Sequence, residues 1–160
     1  MNMMPKLPSR IKIRKLDKNE HPPWDLLIKF CPSLEIVERW LESGATYVTI
    51  LRDDVVGAFV LLQPEPDVTE IALVATTENS KEMAKVLVAR VIEKAKSMHT
   101  EHLRVGVSNA NFQMLELYQK YGFRLSSIEH DYYLKTFQQR IVENGIVCRD
   151  MIRLTLDLRP

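Results

Sequence analysis

The spacing of hydrophobic residues changes repeatedly along the chain between a period of two and a period of about 3.6. A period of two is typical of a strand with one buried face, whereas a period of about 3.6 is typical of an amphipathic helix. In chain order, these periods predict the succession β-α-α-β-β-β-α-β-α-β-β. The three central strands, separated by short turns, are expected to form an antiparallel meander, and the strands joined by helices are expected to be parallel neighbours.

Prolines, glycines and capping residues mark where several of these elements begin and end. The first helix is predicted to start at about Trp24, after a proline pair, and to stop at Pro32. Ser33 is in position to cap a second helix, which Gly44 would end. The longest helix is predicted over residues 81–98, and the last strand, within "CRDMIRLTLDL", alternates between apolar and polar side chains.

Size, composition and the order of elements predict one α/β domain over residues 1–160, in which residues 1–10, with two prolines and no period, form a loose tail. The chain has 160 residues, of which 46% are hydrophobic and 27% charged, which suits a globular core. We expect a mixed, mostly antiparallel sheet of six to seven strands flanked by about four helices. The net charge of +1 gives no general attraction to nucleic acid or to a membrane, so neither is expected as a partner.

The metal-binding and redox residues are few. Cys31 and Cys148 are far apart in sequence, so buried, reduced thiols in a cytoplasmic protein are predicted. His99 and His102 are spaced by three, but they span a predicted helix end and strand start. Since a zinc site needs three or four ligands, no metal site is expected.

The stretch "VGVSNANFQMLELYQKYGFR" carries the most specific pattern in the chain. Asn109 follows a strand, a helix then presents Leu117 and Tyr118, and Gly122 and Phe123 lead into the next strand. This pattern resembles the N-x(7)-L-Y-x-K-x-G-F signature of the GCN5-related N-acetyltransferase (GNAT) superfamily, which also has the predicted order of elements. The ending "ENGIVCRDMIRLTLDL" and the front segments "PPWDLL" and "CPS" resemble a bacterial branch of small acetyltransferases, so the resemblance covers nearly the whole chain.

The resemblance implies an enzyme that takes acetyl-CoA as cofactor. The acetyl group would pass directly to a primary amine, on a small molecule or a protein, in a ternary complex. The strands "VTEIALVA" and "HLRVGV" would splay into a V that holds the pantetheine arm. A non-catalytic acetyltransferase-like domain that binds a small molecule or a partner protein is the alternative. The family often dimerises, and the last strand is expected to offer an exposed edge to a homodimer.

The resemblance also assigns roles to individual side chains. Tyr118 would be the general acid that protonates the leaving thiolate; the alternative is a half-buried tyrosine with its hydroxyl at the surface. Glu70 would be the base, acting directly or through a water; the alternative is a solvated strand glutamate. Asn109 would hold its loop or bond the pantetheine, and it would also suit a helix cap before Ala110.

The sequence indicates the acceptor pocket less specifically than it indicates the catalytic residues. A polar and aromatic cluster follows a core strand and would form either a pocket wall or a surface turn: His130, Asp131, Tyr132 and Tyr133. Acidic residues near predicted loops would favour a cationic amine: Glu20, Asp25, Glu65 and Asp67.

The phosphate loop of the family, Q/R-x-x-G-x-G/A, falls on the six residues that begin with Asn79. Glu82 replaces its inner glycine, and a carboxylate about 4 Å from a pyrophosphate would be repelled by about 1 to 4 kcal/mol. Lys81 and Lys85 would offset part of this repulsion, and Ser80 can cap the helix without an anion, so weak cofactor binding is expected. The residues expected to hold the cofactor are Leu73, Val74, Ala75, Asn79, Ser80, Lys81, Glu82, Met83, Ala84, Lys85 and Asn109.

Overall fold

A seven-stranded mixed sheet organises the chain in the computed structural model, which describes residues 11–77 and 81–160. In chain order the elements are β1 (Ile11–Lys15), α1 (Trp24–Phe30), α2 (Leu34–Ser43), β2 (Ala45–Leu51), β3 (Asp54–Glu65), β4 (Val68–Thr76), α3 (Lys81–Ser97), β5 (His102–Ser108), α4 (Phe112–Lys120), β6 (Arg124–Glu129), α5 (Tyr132–Thr136), β7 (Val142–Glu143), β8 (Ile146–Val147) and β9 (Met151–Asp157). The predicted α/β class and size of the sheet are confirmed. The predicted tail, residues 1–10, lies outside the described residues.

The strands of the sheet lie in the order β1-β2-β3-β4-β5-β9-β6, while β7 and β8 form a separate hairpin. The predicted antiparallel meander of β2, β3 and β4 is confirmed. The prediction of parallel neighbours is right for β4 and β5 but wrong for β5 and β6, because β9 lies between them and pairs antiparallel with both. The expectation that the last strand is an exposed edge is also wrong, since β6 occupies that edge.

The predicted starts of α1 and α2 are confirmed. Helix α1 starts at Trp24 and ends at Phe30, just before Cys31. The Ser33 hydroxyl accepts a hydrogen bond from the backbone N–H of Ile36 at 3.3 Å and so caps α2. The short helix α5 and the hairpin β7–β8 were not expected, because elements of five and two residues are too short to display a period.

The two faces of the sheet are covered differently. On one face, α3 and α4 pack on β3, β4, β5 and β9 and form a large buried cluster that includes Phe59, Leu103 and Leu154. On the other face, α1 and α2 cover a cluster whose strand residues all come from β2, β3 and β4. The second face of β5 and β9 therefore lacks a helical cover of this kind and is available for a cleft.

Two further properties of the described residues concern the requirements of a membrane-spanning helix and of a metal site. Among the described residues, none of the helices combines the length and the apolar character that crossing a bilayer requires. The same part of the chain contains no group of three or more histidine, cysteine or carboxylate side chains arranged to hold a metal ion.

Candidate active site

Strands β4 and β5 are paired only over their first residues. The parallel ladder runs from Val68 beside His102 to Ile71 beside Val105, whereas β4 continues to Thr76 and β5 to Ser108. Beyond these pairs the two strands have no common ladder, so backbone N–H and C=O groups within residues 72–75 and 106–108 face a gap instead of a neighbouring strand. The predicted splay of these two strands is therefore confirmed.

A β-bulge in β4 explains where the strands part. Val60 and Leu61 are consecutive in β3, but their partners in β4 are Leu73 and Ile71, so Ala72 is the extra residue. A bulge bends its strand and increases the local twist, which turns the second half of β4 away from β5. The bulge comes directly after the last ladder pair, and Ala72 lines the resulting cleft.

The gap opens into a cleft of about 840 Å³, which is within the usual size range of small-molecule and cofactor sites. Its walls come from residues 70–74 of β4, residues 105–108 of β5, the junction of α1 and α2 at 29–32, α5, and the segment 139–143. The cleft thus joins the strand gap to the second face of β5 and β9, beside the part of the sheet that α1 and α2 cover.

Tyr118 lines this cleft from α4. Its side chain is only 2% exposed and packs edge-on against Phe123, with 5.0 Å between ring centroids. Burial raises the pKa of Tyr118 above its ordinary value. The alternative of a half-buried tyrosine with a surface hydroxyl is therefore wrong, and at neutral pH the phenol is a proton donor.

Glu70, Arg104 and Arg153 form a charged cluster on three adjacent strands. The Arg104 Nε donates a hydrogen bond to Glu70 Oε1 at 3.1 Å, and Arg153 Nη2 lies 3.8 Å from the same oxygen. The sheet register brings them together, because Arg104 pairs with Glu70 across β4–β5 and Arg153 pairs with Gly106 across β5–β9. Glu70 and Arg153 line the cleft, so Glu70 is an ion-paired residue of its wall and not a freely solvated strand glutamate.

Asn109 ties the end of β5 to the segment before β9. Its Nδ2 donates to the carbonyl of Val147 at 3.2 Å, and its Oδ1 accepts from the backbone N–H groups of Arg149 at 2.8 Å and Asp150 at 3.0 Å. The expected helix cap is wrong for Asn109, since Asn111 caps α4. These bonds fit the expected role of holding the loop.

The residues predicted to hold the cofactor on β4 divide into two groups. Leu73 and Val74 line the cleft. Ala75 is fully buried in the cluster beneath α1 and α2, to which Leu73 also belongs, but Ala75 is not among the residues that line the cleft.

The predicted phosphate loop is described only in part, because Asn79 and Ser80 lie outside the described residues. At the start of α3, Lys81 is exposed and Met83 and Ala84 are half-buried. The Glu82 side chain is 79% exposed, and its Oε1 lies 3.1 Å from the Lys85 Nζ. The carboxylate that replaces the family's glycine is thus solvated and partly neutralised.

The aromatic part of the cleft comes from α5. Tyr132 and Tyr133 line the cleft, with 5.0 Å between their ring centroids, and Tyr133 stacks on Phe137. Burial raises the pKa of both tyrosines. His130 instead lies at the surface, 3.5 Å from Asp150, so the predicted cluster is divided between a cleft wall and a surface turn.

The contribution of Arg153 to the cleft was not predicted from the sequence. The alternation of the last strand correctly places Arg153 on the opposite face from Leu154, but it does not reveal which strand lies beside β9. Only the register with β5 places Arg153 near Glu70.

Known proteins resemble this chain in sequence and in fold. The model of the acetyltransferase (GNAT) family matches residues 12–123. The uncharacterized N-acetyltransferase YvbK of Bacillus subtilis (strain 168) is 39% identical over 151 residues, which are 93% of this chain and 97% of that protein.

Two solved structures are similar over nearly their whole length. A GNAT family acetyltransferase from Elizabethkingia anophelis with acetyl-CoA bound has a TM-score of 0.89 and 34% identity, over 94% of this chain and 99% of that one. A Bacillus subtilis acetyltransferase in complex with CoA has a TM-score of 0.85 and 39% identity, over 92% of this chain and 98% of that one. The predicted resemblance is confirmed: the chain belongs to the acetyltransferase (GNAT) family of N-acetyltransferases.

Proposed function

We propose that this chain transfers the acetyl group of acetyl-CoA to a primary amine by direct attack in a ternary complex. The observation that carries this proposal is the gap between β4 and β5, which begins at the bulge and is continuous with a cleft that holds Tyr118 and Glu70. The similar structures solved with acetyl-CoA and CoA support the same cofactor here. Between residues 72–75 of β4 and 106–108 of β5 the described strands share no ladder, so backbone groups that face the gap there suit an extended arm that carries amides of its own.

Tyr118 acts in this proposal on the leaving group. Bound acetyl-CoA supplies a thioester, whose carbonyl carbon is attacked by the amine and whose sulfur leaves as a thiolate. The Tyr118 phenol, kept protonated by burial, donates its proton toward that sulfur as the C–S bond breaks.

Glu70 acts on the acceptor. Its carboxylate lines the cleft and is held in place by the hydrogen bond from Arg104. The acceptor enters as an ammonium ion, which pairs with Glu70, and its proton passes to the carboxylate directly or through one water before attack. The nitrogen loses two protons in all: the first passes through Glu70 to solvent before attack, and the second, released as the amide forms, balances the proton that Tyr118 donates.

Acetyl transfer tests the proposed function directly. The purified chain is incubated with acetyl-CoA and a panel of small amines, amino acids and peptides, and both free CoA and the mass of the acetylated product are measured. Acetylation of an amine with equal release of CoA is expected. Binding of acetyl-CoA without acetylation of any amine would favour the non-catalytic alternative.

The two cysteines bear on the proposed location, and the free edge of the sheet bears on the proposed assembly. Cys31 and Cys148 are free, buried thiols, which suits the predicted cytoplasmic location. A homodimer that extended the sheet would use β6, whose outer edge is unpaired in the described chain and whose residues are all exposed.

Removing the charge of Glu82 is expected to tighten acetyl-CoA binding. Glu82→Gln should lower Kd about fivefold, the equivalent of about 1 kcal/mol, because an exposed carboxylate near the phosphates repels them only moderately. Calorimetric titration measures this change, which should shrink at high salt. Glu93→Gln, an exposed position farther along α3, is the matched control. An unchanged Kd would show that Glu82 points away from the phosphates.

A further inference from the structure

Arg153 is a cation of the cleft whose pairing within the described chain is incomplete. Its side chain is 28% exposed and lines the cleft. Its Nε is buried without a hydrogen-bond partner among the described residues. Its Nη2 lies 3.8 Å from Glu70 Oε1, which is too long for a hydrogen bond. A guanidinium carries several donors in a rigid fork, so Arg153 retains unused donor capacity.

The negative charge of Glu70 is compensated without Arg153. Arg104 already donates a hydrogen bond from Nε to the same carboxylate oxygen at 3.1 Å. Arg104 is not among the residues that line the cleft, whereas Arg153 is. The two arginines therefore differ in position: Arg104 supports Glu70 from the sheet, and Arg153 stands beside Glu70 on the side that an acceptor would reach.

The charges around the cleft favour an anionic group on the acceptor. The basic side chains that line it are Lys29, Arg140 and Arg153, and the acidic ones are Glu70 and Glu143. The acidic residues that the sequence suggested for a cationic amine do not line the cleft: Glu20, Asp25, Glu65 and Asp67. Since Arg104 offsets the charge of Glu70 from outside, the lining has a positive excess.

We propose that the acceptor carries a carboxylate beside its primary amine, as an α-amino acid does. This inference rests on the proposed acetyl transfer and names the acceptor class of the same site. Glu70 binds the ammonium group, and Arg153 binds the carboxylate through its fork of N–H donors. In an α-amino acid the ammonium and the carboxylate are attached to the same carbon atom and so lie close together. Their partners in the cleft are also close, since Glu70 Oε1 and Arg153 Nη2 are 3.8 Å apart.

Binding to the CoA complex tests this inference independently of catalysis. The common amino acids, their carboxamides and the corresponding decarboxylated amines are titrated calorimetrically into the chain saturated with CoA. The best amino acid is expected to bind at least about 10-fold more tightly than its carboxamide and its amine, because only the free carboxylate forms charge-assisted bonds with Arg153. If no amino acid binds more tightly than its carboxamide, the inference is wrong.

Substitution of Arg153 tests whether this residue causes the preference for an acceptor with a carboxylate. Arg153→Met should weaken binding of the preferred amino acid by about 10- to 100-fold and leave the matching carboxamide nearly unchanged, and Arg153→Lys should restore part of the loss. Arg104→Gln is the comparison, and it should affect all amines alike while keeping the preference for a carboxylate. An equal loss for amino acid and carboxamide in Arg153→Met would contradict the proposed contact.

Acetylation measured in parallel separates the two proposals. If amines are acetylated with no preference for a neighbouring carboxylate, acetyl transfer stands and this inference falls. If amino acids bind through Arg153 but are never acetylated, the acceptor site stands and the proposed transfer falls.

Discussion

Replacing Tyr118 by phenylalanine is expected to lower kcat by about 100-fold while the melting temperature and the affinity for acetyl-CoA stay nearly unchanged. A positioned general acid typically contributes about 10²- to 10⁴-fold. The lower end applies here, because burial raises the pKa of Tyr118 and makes its phenol a weaker acid. The ring keeps its contact with Phe123. Steady-state kinetics, thermal unfolding and calorimetric titration with acetyl-CoA measure the three quantities.

A matched substitution separates loss of the acid from loss of a buried hydroxyl. Tyr47 is also a buried tyrosine that packs on a phenylalanine, Phe59, but it is not among the residues that line the cleft. Tyr47→Phe should leave kcat within about twofold of the wild type. A fall of kcat and cofactor affinity by equal factors in Tyr118→Phe would show that Tyr118 is structural.

The buried phenol also fixes the expected pH dependence. The ordinary pKa is 10.0, and burial raises that of Tyr118, so the phenol stays protonated up to about pH 10. Because the folded-state pKa is the higher one, this group's contribution to stability is complete below the unfolded pKa and is lost as pH rises through the folded pKa. Between pH 7 and 9 no loss of kcat should arise from Tyr118. An alkaline fall in that range which disappears in Tyr118→Phe would contradict the assignment.

Glu70→Gln is expected to lower kcat/KM by about 100-fold, through a higher KM for the amine and a lower kcat. The amide keeps the shape of the side chain but loses both the charge that binds an ammonium and the ability to accept its proton. The defect in kcat/KM should shrink as pH rises, since a larger fraction of the amine is then deprotonated in solution and needs no base. Initial rates across a range of pH and amine concentrations measure both effects.

The other cleft carboxylate is the control for Glu70. Glu143 also lines the cleft, and Glu143→Gln changes the charge of the lining by the same amount. It should alter KM modestly and leave kcat nearly unchanged. Because Glu70→Gln leaves Arg104 and Arg153 without their anionic partner, thermal unfolding must accompany the kinetics. A folded Glu70→Gln variant with raised KM and normal kcat would limit Glu70 to binding.

Local signals in the sequence were sufficient for most of the fold. The start of α1, the Ser33 cap and the extent of α3 were predicted within one residue, because each depends on a few neighbouring residues. The position of β9 was not predictable in this way. Strand β9 lies between β5 and β6 because the end of the chain returns to the middle of the sheet. The spacing of hydrophobic residues does not show which strands become neighbours in this way.

The candidate site was predictable only where it depends on one segment. Tyr118 and the splayed strands followed from the resemblance carried by "NANFQMLELYQKYGF". The bulge at Ala72 leaves no distinct pattern in "VTEIALVA", since apolar residues occupy both faces there. The pairing of Glu70 with Arg104 and Arg153 depends on the register of three strands, and the bonds of Asn109 to the segment before β9 depend on tertiary contacts.

The central claim is that acetyl-CoA lies in the gap between β4 and β5, and amide hydrogen exchange tests it most directly. Exchange is followed peptide by peptide with and without millimolar acetyl-CoA. Slower exchange is expected in residues 72–75 and 106–108, because the backbone groups there that face the gap, and have no ladder partner on the opposite strand, become hydrogen-bonded to the cofactor. Protection elsewhere with none in these two segments, or no protection at all at millimolar acetyl-CoA, would contradict it.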